Sequence, residues 1–273
     1  MAYDSVDDDV FLENISKYKE FNQLRRDPRK PEDCDSVDQT IVPKCMIDRQ
    51  ITKSHYLIPK SYQLFGNMFI NPNTSYSRLL IKHNTGSGKT AHALGIAMDF
   101  INVYQQETSL GHRTIGSIFI MGFDNSRRAF ERELFRYAEF GFVTREDVRE
   151  YHKLMRKASS GLKHDIDNLT DLTQRIRRRL SNRRQRGFFK FVGYKAFANR
   201  LFVTDKNIAG LQEFEIRKMI KSGDIKINMS LLSTFNNSLM ICDEVHNIYN
   251  SIYKNNWGVA IQIVLDKIGR AHV

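Results

Sequence analysis

The stretch His83-Asn84-Thr85-Gly86-Ser87-Gly88-Lys89-Thr90 says more about this chain than any other. A short apolar run, Leu79-Leu80-Ile81, precedes it and predicts a strand, and an apolar-periodic stretch from Ala91 predicts a helix after it. Strand, glycine-rich turn and helix, in that order, form the setting that a phosphate-binding loop requires. Gly86 and Gly88 allow backbone conformations that a side chain would forbid. We therefore expect main-chain N–H groups and the helix N-terminus to bind a polyphosphate here.

Two side chains of this loop are suited to Mg-ATP. Lys89 can reach the β- and γ-phosphates, and the Thr90 hydroxyl can be a Mg²⁺ ligand. Thr85 and Ser87 belong to the same candidate nucleotide-binding set. The loop departs from the general pattern at one position, because His83 stands where glycine is usual. Glycine-rich turns followed by lysine also occur as ordinary turns, so the loop alone leaves that alternative open.

A second apolar run, Leu239 to Cys242, ends in Asp243 and Glu244. Buried parallel strands read as such runs, and ligands bind at their carboxyl ends. Asp243 is therefore predicted beside the phosphate loop, where its carboxylate can hold Mg²⁺ directly or through water. Glu244 can orient or deprotonate the attacking water. His246 either couples the ATP site to a nucleic-acid site or simply packs.

Composition narrows the class of protein. The chain has 273 residues, which suits one enlarged domain or two small ones. A formal net charge of +11 favours a polyanionic partner, while 41% hydrophobic and 11% aromatic residues indicate a folded chain. The lack of a long apolar run and the acidic start predict neither a membrane span nor a secretory signal. Three cysteines without metal-site spacing predict an intracellular, reducing location.

The order of the predicted elements indicates an α/β fold, a mostly parallel sheet with helices on both faces. Residues 1–54 are interpreted as a polar N-terminal extension and residues 55–273 as the ATP-binding domain, with a charged helical insertion near 144–187. Further expected elements are a helix at 61–69 that ends at Asn71-Pro72-Asn73, a strand at 117–123, a helix at about 125–137, and a helix that starts at a capping box, Thr144 to Asp147.

The most basic part of the chain runs from Arg175 to Lys195. Its arginines can pair with nucleic-acid phosphates, or they can form a solvated helix face, and both interpretations stay open. The aromatic residues from Phe188 to Val192 favour a core strand over a base-stacking surface. The candidate nucleic-acid-binding arginines, called the basic segment below, are Arg175, Arg177, Arg178, Arg179, Arg183, Arg184 and Arg186.

The string TGSGKT, the string ICDEVH and the upstream Gln63 resemble the first RecA-like lobe of a superfamily 2 helicase of the DExH form. By this resemblance residues 86–90 match motif I, residues 243–246 match motif II, and residues 118–123 occupy the place of motif Ia. Gln63 is similar to the glutamine that reads adenine upstream of motif I. The resemblance implies a nucleic-acid-dependent ATPase that uses ATP and Mg²⁺.

A narrower resemblance rests on His83, the string DEVHNIYN, and Gly193-Tyr194-Lys195-Ala196-Phe197 with its neighbours. These are similar to the helicases of large cytoplasmic DNA viruses related to the poxvirus early transcription factor small subunit. The resemblance implies action in early viral transcription, with DNA, a viral RNA polymerase or an early transcription factor large subunit as partners. It also implies a location in the virion or the cytoplasmic viral factory.

Motif II is followed by fewer residues than a second lobe needs, and no motif III is visible. We therefore expect a truncated fragment without the second lobe, whose last residues, 268–273, are similar to a translated sequencing adapter. Such a fragment should hydrolyse ATP poorly on its own, because the arginines that complete the ATP site across the interlobe cleft belong to the second lobe. Two other functions remain possible from the sequence. One is a P-loop ATPase of another class, such as a DNA-packaging or AAA-type motor. The other is a non-catalytic module that docks DNA or a polymerase.

Overall fold

A computed structural model describes residues 8, 10–22, 61–82, 88–111, 115–136, 143–159, 161–185, 187–248 and 256–267. Predictions for residues 23–60, 83–87, 186 and 268–273 lie outside these ranges. The described chain is mixed α/β. Its helices are α1 (Phe11–Ile15), α2 (Lys19–Asn22), α3 (Ser61–Phe69), α4 (Lys89–Ser109), α5 (Asp124–Arg136), α6 (Arg145–Ala158), α7 (Lys163–Ser181), α8 (Tyr194–Leu201), α9 (Glu213–Ser222), α10 (Met229–Ser233) and α11 (Asn256–Lys267).

The strands are short. They are β1 (Ile118–Gly122), β2 (Phe189–Gly193), β3 (Phe202–Val203), β4 (Lys226–Ile227) and β5 (Leu239–Cys242), and single 3-10 turns span Arg183–Gln185 and Val245–Asn247. The chain divides into two compact units. The first comprises Met1–Tyr76, His83–Asp99 and Arg132–Arg178, and the second comprises Ser77–Lys82, Phe100–Glu131 and Arg179–Val273.

The second unit contains a three-stranded parallel sheet in the order β2-β1-β5. Ile118 of β1 lies opposite Phe189 of β2 and Leu239 of β5, and the register continues to the carboxyl ends. All five residues of β1 are buried, as expected for a central strand of a parallel sheet. The three strand predictions at 117–123, 188–192 and 239–242 are confirmed. A separate antiparallel pair joins β3 and β4.

Stacked aromatic rings form the centre of the second unit's core. The Phe119 and Phe235 rings stack with centroids 4.1 Å apart, and Phe197 meets Phe235 edge-on at 5.4 Å. Around them lie buried residues of α8, α10 and α11, such as Leu201, Leu232 and Val259. This packing fixes β1 and β5, whose carboxyl ends carry the candidate site.

We expect Phe235→Ala to lower the free energy of unfolding by about 3–5 kcal/mol, because it removes a ring that is 1% exposed and leaves a cavity. Urea denaturation followed by circular dichroism measures this. The matched control is Phe214→Ala, since Phe214 is 65% exposed and its truncation should change stability by no more than about 0.5 kcal/mol. Equal losses in the two variants would contradict the core assignment.

Aromatic packing also holds the first unit together. Phe69 of α3 stacks on Tyr76 at 4.3 Å, and Phe11 of α1 meets Tyr76 edge-on at 5.6 Å. Phe21 of α2 lies 5.3 Å from Phe65. Residues 11–22, assigned from the sequence to the polar extension, therefore contribute two buried phenylalanines to this cluster.

The strand predicted at Leu79-Leu80-Ile81 is wrong. These residues belong to none of the strands in the described ranges, and Leu80 is 80% exposed. A strand is stable only when another strand pairs with it, and a run of three apolar residues carries no information about such a partner. The helix predicted after the loop is present and spans Lys89–Ser109.

The charged stretch near 144–187 is largely helical, as predicted, over α6 and α7. The Thr144 hydroxyl accepts from the Asp147 N–H at 3.0 Å, and the Asp147 carboxylate accepts from the Thr144 N–H at 2.9 Å, so the predicted capping box is confirmed. The turn after α3 is confirmed too, since Asn71 Oδ1 accepts from the Asn73 N–H at 3.0 Å. No helix in the described ranges has the length and apolar character that a membrane crossing requires.

Candidate functional site

The described end of the predicted phosphate loop, Gly88, lies in the first unit. Gly88 has φ +85°, and α4 begins at the next residue, Lys89. Gln63 is buried, and its Nε2 donates to the Gly88 carbonyl at 3.3 Å. A Cβ at position 88 would be 3.0 Å from that nitrogen as well as strained by the positive φ. Glycine is therefore strongly favoured here, and Gln63 is placed directly against residue 88.

Lys89 and Thr90 are the first two residues of α4. The first turn of a helix has N–H groups without intrahelical partners, and the helix dipole adds partial positive charge there. Leu94 and Ala97, both fully buried, anchor the helix that presents these groups. The conformation and the donor types fit a bound polyphosphate. The candidate residues Thr85, Gly86 and Ser87, with His83, lie outside the described ranges.

The acidic strand end lies in the second unit. The N–H of Asp243 donates to the Met121 carbonyl at 2.9 Å, which extends the pairing of β5 with β1 by one residue. Asp243 is half-buried at the carboxyl edge of the sheet. This edge is tightly packed, because a Cβ on Gly122 would lie 2.6 Å from the Ser126 Cβ and 3.7 Å from the Asp243 Cβ.

Glu244 has the left-handed conformation, with φ 53° and ψ 38°. This conformation is unfavourable for a residue with a Cβ, by about 1–2 kcal/mol, and such strain is concentrated at functional sites. Its Oε2 is 3.3 Å from His246 Nδ1, and the His246 side chain is 72% exposed. The turn thus directs Glu244 away from the strand and pairs it with a histidine that solvent reaches.

A series of three aromatic residues begins at the base of this turn. The Tyr194 hydroxyl donates to the Asp243 carbonyl at 2.7 Å. The Tyr194 ring meets Phe123 edge-on at 5.4 Å, and Phe123 in turn meets Trp257 at 6.0 Å. None of these three residues was predicted from the sequence to belong to the site. Their position after the carboxyl ends of β1 and β2 was the signal that could have identified Phe123 and Tyr194.

The neighbouring Cys242 is a free thiol. Burial raises its pKa to about 12, with the Asp243 carboxylate adding to the rise and a hydrogen bond with Tyr194 opposing it. The thiol is therefore neutral at physiological pH, and this residue fills space beside the acidic turn without adding charge to it. Cys34 and Cys45 lie outside the described ranges.

The donor chemistry of the candidate set suits Mg²⁺. A hydroxyl at Thr90 and carboxylates at Asp243 and Glu244 are hard oxygen ligands, and magnesium in ATP sites is usually held by one or two carboxylates together with phosphate oxygens. Among the described residues no three His, Cys, Asp or Glu side chains form a dedicated metal cluster.

The basic segment is spread over α7 and the turn that follows it. Leu172, Ile176 and Leu180 form the buried stripe of α7, so most arginines lie on its other faces. Arg175 is 3.5 Å from Asp147 and 3.7 Å from Glu150. Arg177, Arg178 and Arg184 are exposed and Arg179 is half-buried, while Arg186 lies outside the described ranges.

Arg183 is held by the end of the sheet, because it donates to the Ile115 carbonyl at 3.2 Å. The aromatic residues after the segment belong to the core, as predicted: Phe188 and Phe189 are 2% and 3% exposed. Phe191 is half-buried and lies 5.4 Å beneath the Arg127 guanidinium, a cation–π contact that no sequence pattern indicated.

Sequence comparison finds relatives of this chain among viral proteins. It is 31% identical, across 97% of its length, to the early transcription factor large subunit homologue of a South African tick isolate of African swine fever virus. It is 35% identical, across 75% of its length, to the protein of the same name from a Malawian tick isolate. The chain is homologous to these viral proteins. The resemblance from sequence motifs had pointed to the small subunit of the poxvirus factor, whereas these relatives are named for a large subunit.

A more distant relative comes from Acanthamoeba polyphaga mimivirus and carries the provisional name of an ATP-dependent RNA helicase. It is 24% identical across 78% of this chain. The chain spans about a quarter of the length of the swine fever virus relatives, 27% and 21% in the two isolates, and 17% of the mimivirus protein. No protein-family model matches the chain. No solved structure matches it either.

Proposed function

We propose that this chain is the ATP-binding, RecA-like lobe of a nucleic-acid-dependent ATPase of the superfamily 2 helicase class, acting in viral early transcription. The observation that carries the proposal is the conformation of the loop end: Gly88 at φ +85° directly before a helix that begins with Lys89 and Thr90. A parallel strand that ends in Asp243-Glu244, and the names of the relatives, support it.

Each side chain of the candidate set has a definite role in the proposed reaction. Lys89 binds the β- and γ-phosphates of ATP, and the loop residues 85–88 hold them with main-chain N–H groups. Thr90 and Asp243 would hold Mg²⁺, which would supply positive charge to offset that of the phosphates. Glu244 orients the attacking water and accepts its proton. Gln63, fixed beside the loop, reads the adenine.

His246 couples ATP hydrolysis to nucleic acid in this proposal. Its contact with Glu244 supports that role, since a partner that displaces an exposed histidine also displaces the carboxylate that orients water. DNA is the proposed nucleic acid, and a viral RNA polymerase or another early transcription factor subunit is the proposed protein partner. The proposed location is the virion or the cytoplasmic viral factory. Residues 55–273 form the proposed lobe, with the insertion near 144–187.

The test of this function is ATP hydrolysis by the full chain, measured with and without single-stranded DNA, duplex DNA and RNA. We expect slow, Mg²⁺-dependent hydrolysis that at least one nucleic acid stimulates. A rate indifferent to all three would favour a P-loop motor of another class. Mg-ATP binding without hydrolysis under any condition would favour the non-catalytic docking module.

The exposed arginines of the basic segment are expected to contact DNA phosphates. Replacing Arg177, Arg178 and Arg184 with glutamine should reduce the slope of log affinity against log salt by about 0.9 for each duplex phosphate that an arginine neutralises in the wild type. Fluorescence anisotropy from low to high salt measures the slope. Lys218, Lys221 and Lys226, all replaced with glutamine, provide a control triple that changes the net charge equally. If both triples shift the slope equally, the arginines act only through overall charge.

A further inference from the structure

The phenol of Tyr194 reaches across the carboxyl edge of the sheet. Tyr194 is the first residue of α8, directly after Gly193 ends β2. In the order β2-β1-β5, the strand that carries Asp243 is two strands away, a separation of about 10 Å at ordinary strand spacing. The Tyr194 hydroxyl nevertheless donates to the Asp243 carbonyl at 2.7 Å. One side chain thus links the first strand of the sheet to the acidic end of the last.

This hydrogen bond completes the fixation of the main chain at Asp243. The Asp243 N–H donates to the Met121 carbonyl, and the Asp243 carbonyl accepts from the Tyr194 hydroxyl. With both flanking peptide groups held, the backbone dihedral angles of Asp243 are set. The peptide that accepts from Tyr194 also leads into Glu244, whose left-handed conformation needs support from its surroundings.

The phenol itself has little freedom. Tyr194 is 1% exposed, and its ring packs edge-on against Phe123. A buried hydroxyl without a partner is costly, so the packing of the ring and the hydrogen bond reinforce one another. The Tyr194 hydroxyl is therefore a rigid support for the turn.

We propose that Tyr194 is a positioning residue, whose hydroxyl fixes the main chain at Asp243 and so directs the carboxylates of Asp243 and Glu244 toward the metal and the water. This inference rests on the proposed ATP site. It assigns Tyr194 no contact with ATP or Mg²⁺. Its effect is on how well the two carboxylates are preorganised. A purely structural hydroxyl-to-carbonyl bond elsewhere in the unit should not influence metal-dependent binding, so the two roles can be told apart.

The experiment compares Tyr194→Phe with Tyr104→Phe in the full chain. Tyr104 is also buried and donates to a main-chain carbonyl, that of Asn237, at 2.6 Å, so both variants lose the same kind of bond and keep the ring. Isothermal titration calorimetry gives the affinity for ATP with Mg²⁺ and for ATP in EDTA. Urea denaturation reports the stability of each variant.

We expect Tyr194→Phe to weaken Mg-ATP binding about three- to ten-fold, the range that the loss of one such hydrogen bond produces, with metal-free ATP binding unchanged. Tyr104→Phe should leave both affinities unchanged. Mg-ATP binding that is unaltered in Tyr194→Phe, or that weakens equally with and without metal, overturns the positioning role alone. Failure of Tyr194→Phe to fold overturns it as well. A wild-type chain that binds no Mg-ATP overturns the ATP site and this inference together.

Discussion

Glu244→Gln is expected to slow ATP hydrolysis about 10²–10⁴-fold, the usual contribution of a general base, while Mg-ATP binding persists. Glutamine has nearly the shape of glutamate, so the left-handed turn survives, but the amide cannot accept a proton from water. The contact with His246 at 3.3 Å changes from an ion pair or charge-assisted bond to a neutral one. The variant should therefore trap the ATP-bound state.

The measurement is phosphate release under single-turnover conditions, with the nucleic acid that stimulates the wild type most. Glu213→Gln is the control, because this exposed carboxylate pairs with Arg217 on the surface of α9 and has no role in the proposed reaction. It should hydrolyse ATP at the wild-type rate. A Glu244→Gln chain that keeps the wild-type rate would assign the water to another residue.

Lys89→Ala should lower the affinity for Mg-ATP by up to about 10²-fold, because a charged hydrogen-bonding group contributes about 1.5–3 kcal/mol. Lys89 is the first residue of α4, and alanine has the highest helix propensity, so the substitution should leave the fold unaffected. Lys82→Ala is the matched control, since Lys82 is exposed and precedes the loop. Binding that is equal in the two variants would remove Lys89 from the phosphate site.

Patterns formed by residues close together in the sequence predicted much of the fold. The apolar runs of β1 and β5 indicated buried parallel strands, and the Thr144–Asp147 spacing indicated a capping box, because both patterns follow from neighbouring residues. The end of α4 is also marked locally, because Gly111, with φ +74°, follows the helix as a C-terminal glycine usually does.

Contacts between distant residues could not be predicted in this way. The bond from Tyr194 to Asp243 joins residues 49 positions apart, and nothing in either neighbourhood specifies it. The burial of Phe11 and Phe21 depends on an aromatic cluster formed with α3, so a polar local composition concealed it. The left-handed Glu244 runs against the intrinsic preference of glutamate, and only the surrounding structure explains it.

The residue types of the candidate site could be predicted from the sequence. The structure adds the backbone conformation of the site, which consists of two parts. Gln63 with Gly88 forms one part, in the first unit, and Asp243, Glu244 and His246 form the other, in the second unit. The central claim of the proposal is that the first part binds ATP and that Asp243 of the second part is a ligand of its Mg²⁺.

Isothermal titration of the unmodified chain with ATP, in Mg²⁺ and then in EDTA, tests that claim most directly. If Lys89 and Thr90 hold the phosphates and Asp243 shares the metal, the chain should bind one Mg-ATP saturably and bind metal-free ATP more weakly. The same titration with Asp243→Asn should abolish the difference between the two conditions. Absence of saturable Mg-ATP binding would contradict the proposed ATP site, and a metal dependence unchanged in Asp243→Asn would contradict the role of Asp243 as a metal ligand.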